Sequence, residues 1–163
     1  MRREVEQAIR KFYDAKDSLY VSPIAPGAKW RYKHAMLKET RAYIPPLIEE
    51  IRNRFSGNIR MGNALFSSGS GYYYSEQVIV NNVVILMLSW LGPFGNYDSV
   101  SYPSAPKEGA EKIKRELRKI LEQNNVIILS NEEIGEPVDW LDPGANPFVH
   151  KHLPVWNCLF CEH

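Results

Sequence analysis

Long apolar runs are what this chain most clearly lacks. The longest is VVILML at 83–88, six residues, where an α-helical membrane span needs about 20, so no such span is expected. Cysteine is nearly as scarce. Cys158 and Cys161 are the only two, and a pair three residues apart cannot form an extracellular disulfide framework. The opening MRREVEQAIRKF is charged and periodic where a secretory signal would be apolar. Together these absences predict a cytoplasmic protein.

Signatures of chemistry are missing too. The GSG at 69–71 has neither the lysine of a phosphate-binding loop nor the spacing of a dinucleotide fingerprint. Ser67, Ser68 and Ser70 have no Gly-x-Ser-x-Gly elbow around them. His34 lacks the His-Glu-x-x-His pairing of a zinc peptidase. Glu49–Glu50 and Glu132–Glu133 are sequence neighbours, which seldom share a face, and solvation accounts for both. No catalytic residue, cofactor or metal site is therefore assigned.

What is present suffices for a folded core. With 163 residues, 44% of them hydrophobic and 24% charged, the chain fits one domain over 1–163 that buries about two-thirds of its unfolded surface. Net charge is only +1, yet it is unevenly spread. Residues 1–60 carry +6, residues 61–105 hold only Glu76 and Asp98, 106–124 carry +2, and the tail from Asn125 carries −5. Such asymmetry bears on partners rather than on fold.

Val5, Ala8, Ile9 and Phe12 recur at helical spacing and predict an amphipathic helix over 2–16. A second helix, through Trp30, Met36, Leu37 and Thr40, should end at Tyr43 or Ile44. Pro45–Pro46 then opens a third, with Ile44, Leu47, Ile48, Ile51 and Phe55 as its buried stripe and Gly57 as its stop. From Ile59 the texture turns to strands, expected at 59–66, 72–80 and 83–90, with Asn81–Asn82 as a two-residue hairpin turn. The third strand is apolar on both faces and should lie centrally. A fourth is expected in YDSVSY. The clearest helix follows in APKEGAEKIKRELRKILEQNN, with Ala110, Ile113, Leu117, Ile120 and Leu121 on one face, and VIILS at 126–130 is a short buried strand. The expected fold is α+β: N-terminal helices packed on an antiparallel sheet of about four to five strands, with one long later helix.

The C-terminal VHKHLPVWNCLFCEH gathers His150, His152, His163, Cys158 and Cys161, enough candidates for a tetrahedral zinc. A zinc knuckle needs a tight turn between its cysteines, and Leu159–Phe160 stands there instead. Were the stretch a strand, Cys158 and Cys161 would face opposite ways. A redox Cys-x-x-Cys wants a following helix N-terminus, and only Glu162 and His163 follow. The segment reads as an apolar plug of Val155, Trp156, Leu159 and Phe160. Trp30, Tyr32 and Tyr43 among the basic N-terminal helices, and the Tyr72–Tyr74 run, raise nucleic-acid binding. Acidic residues punctuate those helices, so solvated faces explain them better.

The succession of an amphipathic helix, NVIILSNEEIGEPV, a Pro/Gly-rich loop and a terminal VWNCLFCEH resembles the C-terminal half of small bacterial immunity proteins. These neutralise polymorphic or contact-dependent toxins in bacterial competition. The resemblance covers residues 106–163 and rests on pattern. It implies a single cytoplasmic α+β domain that binds a cognate toxin domain by protein–protein interaction, with no chemistry of its own. A basic nuclease cleft would be met by an acidic surface. Glu132, Glu133, Glu136, Asp139 and Asp142 around Trp140 are the candidate partner-binding residues, with Trp140 as an aromatic anchor. The alternatives are a small enzyme whose active site is scattered along the sequence and a nucleic-acid-binding module using the basic N-terminal helices.

Overall fold

The computed structural model describes residues 1–12, 37–62, 75–97, 107–141 and 153–160. Helix α1 (Arg3–Phe12) buries Val5, Ile9 and Phe12, three of the four positions its spacing marks. Residues 37–40 are helical and end in a turn at 41–43, while the remainder of the second expected helix, and residues 13–16 of the first, lie outside the described residues. Helix α2 (Ile44–Arg54) begins with its proline pair in the first turn and buries Ile44, Leu47 and Ile51. Its stop comes one residue before the expected glycine. Ser56 adopts φ +51° and Gly57 φ +77°. The Gly57 amide donates to Arg52 C=O at 2.8 Å and the Ser56 amide to Asn53 C=O at 3.4 Å, the paired bonds of a Schellman motif.

Five strands follow in one sheet: β1 (Ile59–Gly62), β2 (Ser75–Val80), β3 (Val84–Ser89), β4 (Phe94–Asn96) and β5 (Ile127–Ile128), in spatial order β1-β2-β3-β4-β5. The central position of β3 is as expected, and all six of its residues are buried. One expectation changes. The sheet is mixed, because β5 runs parallel to β4, which a helical crossover between them permits. Among the described residues the fourth strand is Phe94–Asn96, and the strand expected in YDSVSY falls on residues 98–102, outside the described set. The β2–β3 loop is also one residue longer than predicted, since Val80 pairs with Val84. Asn81 and Asn82 do take positive φ, +51° and +55°.

Alternation along β2 and β3 divides the core in two. Ile79, Ile85 and Met87 face one layer, formed by α1 and the C-terminal segments, together with Leu129 and Phe160. Val78, Val80, Val84, Leu86 and Leu88 face the other, formed by α2 and the crossover helix α3 (Lys107–Gln123). Ile113, Leu117, Ile120 and Leu121 of α3 are buried there, as the periodicity predicts. Asn125 at φ +55° ends α3, and the Val126 amide donates to Leu121 C=O at 2.8 Å, turning the chain directly into β5.

The C-terminal plug is helical, not extended. Helix α5 (Val155–Leu159) buries Val155, Cys158 and Leu159, and Phe160 beyond it is fully enclosed. Trp156 stacks on Phe160 with ring centroids 5.1 Å apart. Two buried hydroxyls bind this end to the sheet. Ser75 Oγ donates to Phe160 C=O at 2.9 Å, and Ser89 Oγ donates to Leu159 C=O at 2.6 Å while accepting from the Leu91 amide at 3.2 Å. They satisfy carbonyls that a five-residue helix leaves without partners of its own.

Leu159→Ala should therefore cost about 3 kcal/mol of unfolding free energy, the usual scale for a fully buried leucine, measured by urea denaturation. An unchanged midpoint would show that the terminus contributes nothing. A second outcome concerns the contact between α2 and α3. Hydrogen bonds from Arg54, then from Lys119, hold the Glu116 carboxyl down to about 2. A depressed carboxylate contributes stability above its unfolded value, about 4.3, and that contribution is lost as pH falls toward about 2. Carboxyl-carbon NMR should place the Glu116 titration well below that of an ordinary glutamate, and Arg54→Ala should raise it. An unmoved midpoint in that variant would discount the pair.

Candidate functional site

The acidic segment begins where β5 ends. Ser130 caps helix α4 (Asn131–Gly135): its hydroxyl accepts from the Glu133 amide at 3.2 Å, and Glu133 Oε2 accepts from the Ser130 amide at 2.8 Å. This is a capping box, and its sequence sign, Ser130-x-x-Glu133, was legible. After α4, β6 (Pro137–Val138) pairs antiparallel with β7 (Leu153–Pro154), and the Val155 amide donates to Glu136 C=O at 2.9 Å. The acidic corner and the C-terminal plug are thus one layer, closed over Ile134, Val138 and Leu141.

The basic end of the chain folds onto this acidic corner. Arg2 pairs with Glu133, and the Met1 ammonium lies 2.5 Å from Glu136. The Arg10 guanidinium sits over the Trp140 ring, 4.2 Å from its centroid, while also pairing with Glu6 at 2.8 Å. Partial burial pushes the Glu133 carboxyl up, but the Ser130 amide and Arg2 outweigh it and leave the carboxyl below the usual range. The two charge poles of the sequence thus meet at two ion pairs, Arg2–Glu133 and Met1–Glu136. Sequence reasoning missed this, although opposite charge at the two ends was its available signal.

The six candidate residues are consequently not alike. Glu132 and Asp139 are exposed. Glu136 keeps 37% of its side chain exposed beside the Met1 ammonium. Glu133 is occupied as the cap and by Arg2. Trp140 is half-buried, packed against the core and covered by Arg10, with its indole N–H buried and lacking a partner among the described residues. Asp142 lies outside the described residues.

Between β5 and this corner runs a groove of about 430 Å³. It is lined by Val126 to Ser130, by Arg2 and Glu133, and by Arg118 and Glu122 of α3. Arg118 Nε lies 3.3 Å from the Tyr97 hydroxyl, to which it donates.

Cys158 sits in α5 with no exposed surface, and desolvation pushes its thiol up to about 12. Because α5 is a helix, the argument from a strand's alternating faces does not apply to it. Cys161, His150, His152 and His163 lie outside the described residues, as do His34 and Tyr72 to Tyr74. Among the described residues no three His, Cys, Asp or Glu side chains are grouped to hold a metal ion, and no helix is long and apolar enough to cross a membrane. Compared with known proteins, the chain matches no family model, no curated protein and no solved structure.

The covering of Trp140 is testable. Trp140→Ala should destabilise the protein by about 3 kcal/mol, as loss of a large packed aromatic does, and Arg10→Ala by about 0.5–1 kcal/mol through the lost cation–π contact. Thermal and urea melts that leave both variants at wild-type stability would show the indole to be a loose surface group.

Proposed function

We propose that this protein is an immunity protein, acting in the cytoplasm to neutralise a cognate bacterial toxin domain by binding it. The observation that carries the reading is the acidic corner, where Glu132 and Asp139 are exposed on a capped and strand-paired scaffold. Pre-formed charge of this kind steers an oppositely charged partner and fixes its orientation without an ordering cost. The resemblance of residues 106–163 to immunity proteins supplies the class of partner. In this reading Glu132, Asp139 and the exposed part of Glu136 meet the toxin. Glu133 and Trp140 hold the surface in shape, so Trp140 acts behind the interface rather than as its anchor.

Co-expression tests the claim. Cells making the toxin domain encoded beside this gene should survive only when the protein is also made. Reversing Glu132 and Asp139 to lysine should slow association by about tenfold at low salt, with a smaller effect on dissociation, as steering charges do. Unchanged survival, or no toxin gene in the neighbourhood, overturns the reading.

A further inference from the structure

The outer edge of β5 offers unpaired main chain. Toward β4, the Ile127 amide donates to Pro93 C=O at 2.8 Å and the Leu129 amide to Gly95 C=O at 2.9 Å. Alternation then turns the N–H and C=O of Ile128 the other way, out of the sheet. Among the described residues neither group has a partner. β5 is the last strand in the order among the described residues, so this edge is a sheet edge there. Sheet edges are commonly blunted by lysine, proline or a bulge, and VIIL at 126–129 contains neither residue. Here Val126 to Ser130 line the 430 Å³ groove together with Arg2, Glu133, Arg118 and Glu122.

We infer that this groove takes an extended segment of the partner protein, which adds as a sixth strand beside β5 and carries a lysine or arginine opposite Glu122. A second copy of this chain pairing through the same edge would bring no lysine or arginine to Glu122, since VIIL at 126–129 carries neither. Charge selects the segment. Arg2 and Glu133 neutralise one another. On α3, Arg118 directs its Nε to the neutral Tyr97 hydroxyl and keeps its charge, while Glu122 is exposed and lines the groove with no ion-pair partner among the described residues. Side chains of an added strand would alternate between the α1–α4 side and the α3 side. One directed toward α3 meets Glu122, and a cation there completes a pair. Main-chain bonds to Ile128 would supply affinity and the Glu122 pair selectivity, the division of labour in strand addition.

This inference gives a docking mode to the proposed immunity function, and its test runs without the toxin. The probe is the peptide acetyl-Thr-Val-Lys-Val-Thr-Val-amide, titrated into the isotope-labelled full chain, beside its Lys→Glu counterpart. The lysine peptide should shift the amide resonances of 126–130 and slow hydrogen exchange at Ile128 by about tenfold. Glu122→Lys should weaken it by about fivefold, the scale of an exposed pair, and favour the glutamate peptide instead. Ile128→Pro, which removes the outward N–H and fixes φ there, should abolish the shifts, and its unchanged dispersion elsewhere would confirm folding. Shifts confined to β1, the opposite edge, overturn the inference. So does equal binding of both peptides by wild type and Glu122→Lys, or concentration-dependent self-association through 126–130. If the peptide binds in this way but the toxin is not neutralised, the docking mode stands and the immunity reading falls. If Ile128→Pro protects cells as well as wild type, the reverse holds.

Discussion

A strand whose six residues are all buried cannot leave either face to water. β3 imposes that condition, and the rest of the molecule answers it. Val84, Leu86 and Leu88 on one face need α2 and α3; Ile85 and Met87 on the other need α1 and the C-terminal layer. Neither layer could be removed without exposing a contiguous apolar surface. The sheet is therefore covered on both faces although most of its pairings are antiparallel, and chain from both ends of the sequence must reach its α1 side.

That demand explains the polar groups in the interior. Ser75, Gln77, Ser89 and Asn96 are all buried within the sheet. Ser75 and Ser89 receive the carbonyls at the end of α5, and Asn96 Nδ2 donates to Leu129 C=O at 2.9 Å where β5 gives way to α4. Ser75, Ser89 and Asn96 thus meet backbone that a short element cannot satisfy internally, which makes docking directional where apolar contact alone would be permissive. Gln77 Oε1, by contrast, is buried with no partner among the described residues. On the α2 side, the Tyr43 hydroxyl donates to Ser89 C=O at 2.8 Å, and burial, only partly offset by the Phe94 carbonyl, holds that hydroxyl above the usual tyrosine range. Ser89 thus joins both layers, its hydroxyl turned to one and its carbonyl to the other.

The elements legible in the sequence were those with strong periodicity: α1, α2, α3 and the β2–β3 hairpin, each defined by local apolar spacing and a stop signal nearby. What escaped reading depended on long-range geometry. β4 occupies a Gly/Pro-flanked stretch that reads as a turn, and only pairing with β3 and β5 makes it a strand. The terminal VWNCL is too short for helical periodicity to distinguish it from a strand. Within the candidate site, the acidic residues were visible but their division was not. Glu133 is occupied by a cap that four residues encode, Ser130 to Glu133. Its pairing with Arg2, 131 positions away in the chain, has no local signature. The groove beside β5 was invisible for a related reason, since an unpaired edge exists only once a strand order exists.

The folding of the basic end onto the acidic end changes what the charge asymmetry means. In the extended chain, +6 and −5 are separated poles. In the folded chain, Arg2 and the Met1 ammonium are spent on Glu133 and Glu136, and Arg10 on Glu6 and Trp140. Those pairs act as dipoles beyond roughly a Debye length, about 8–10 Å at ordinary salt. Beyond that, the acidic corner's reach comes from its remaining exposed carboxylates, Glu132 and Asp139. A partner would therefore meet local charge at Glu132, Asp139 and Glu122 rather than a broad acidic face. Recognition built on a few fixed carboxylates and one strip of open main chain discriminates by geometry more than by total charge, so a merely basic protein would be a poor substitute for the right one.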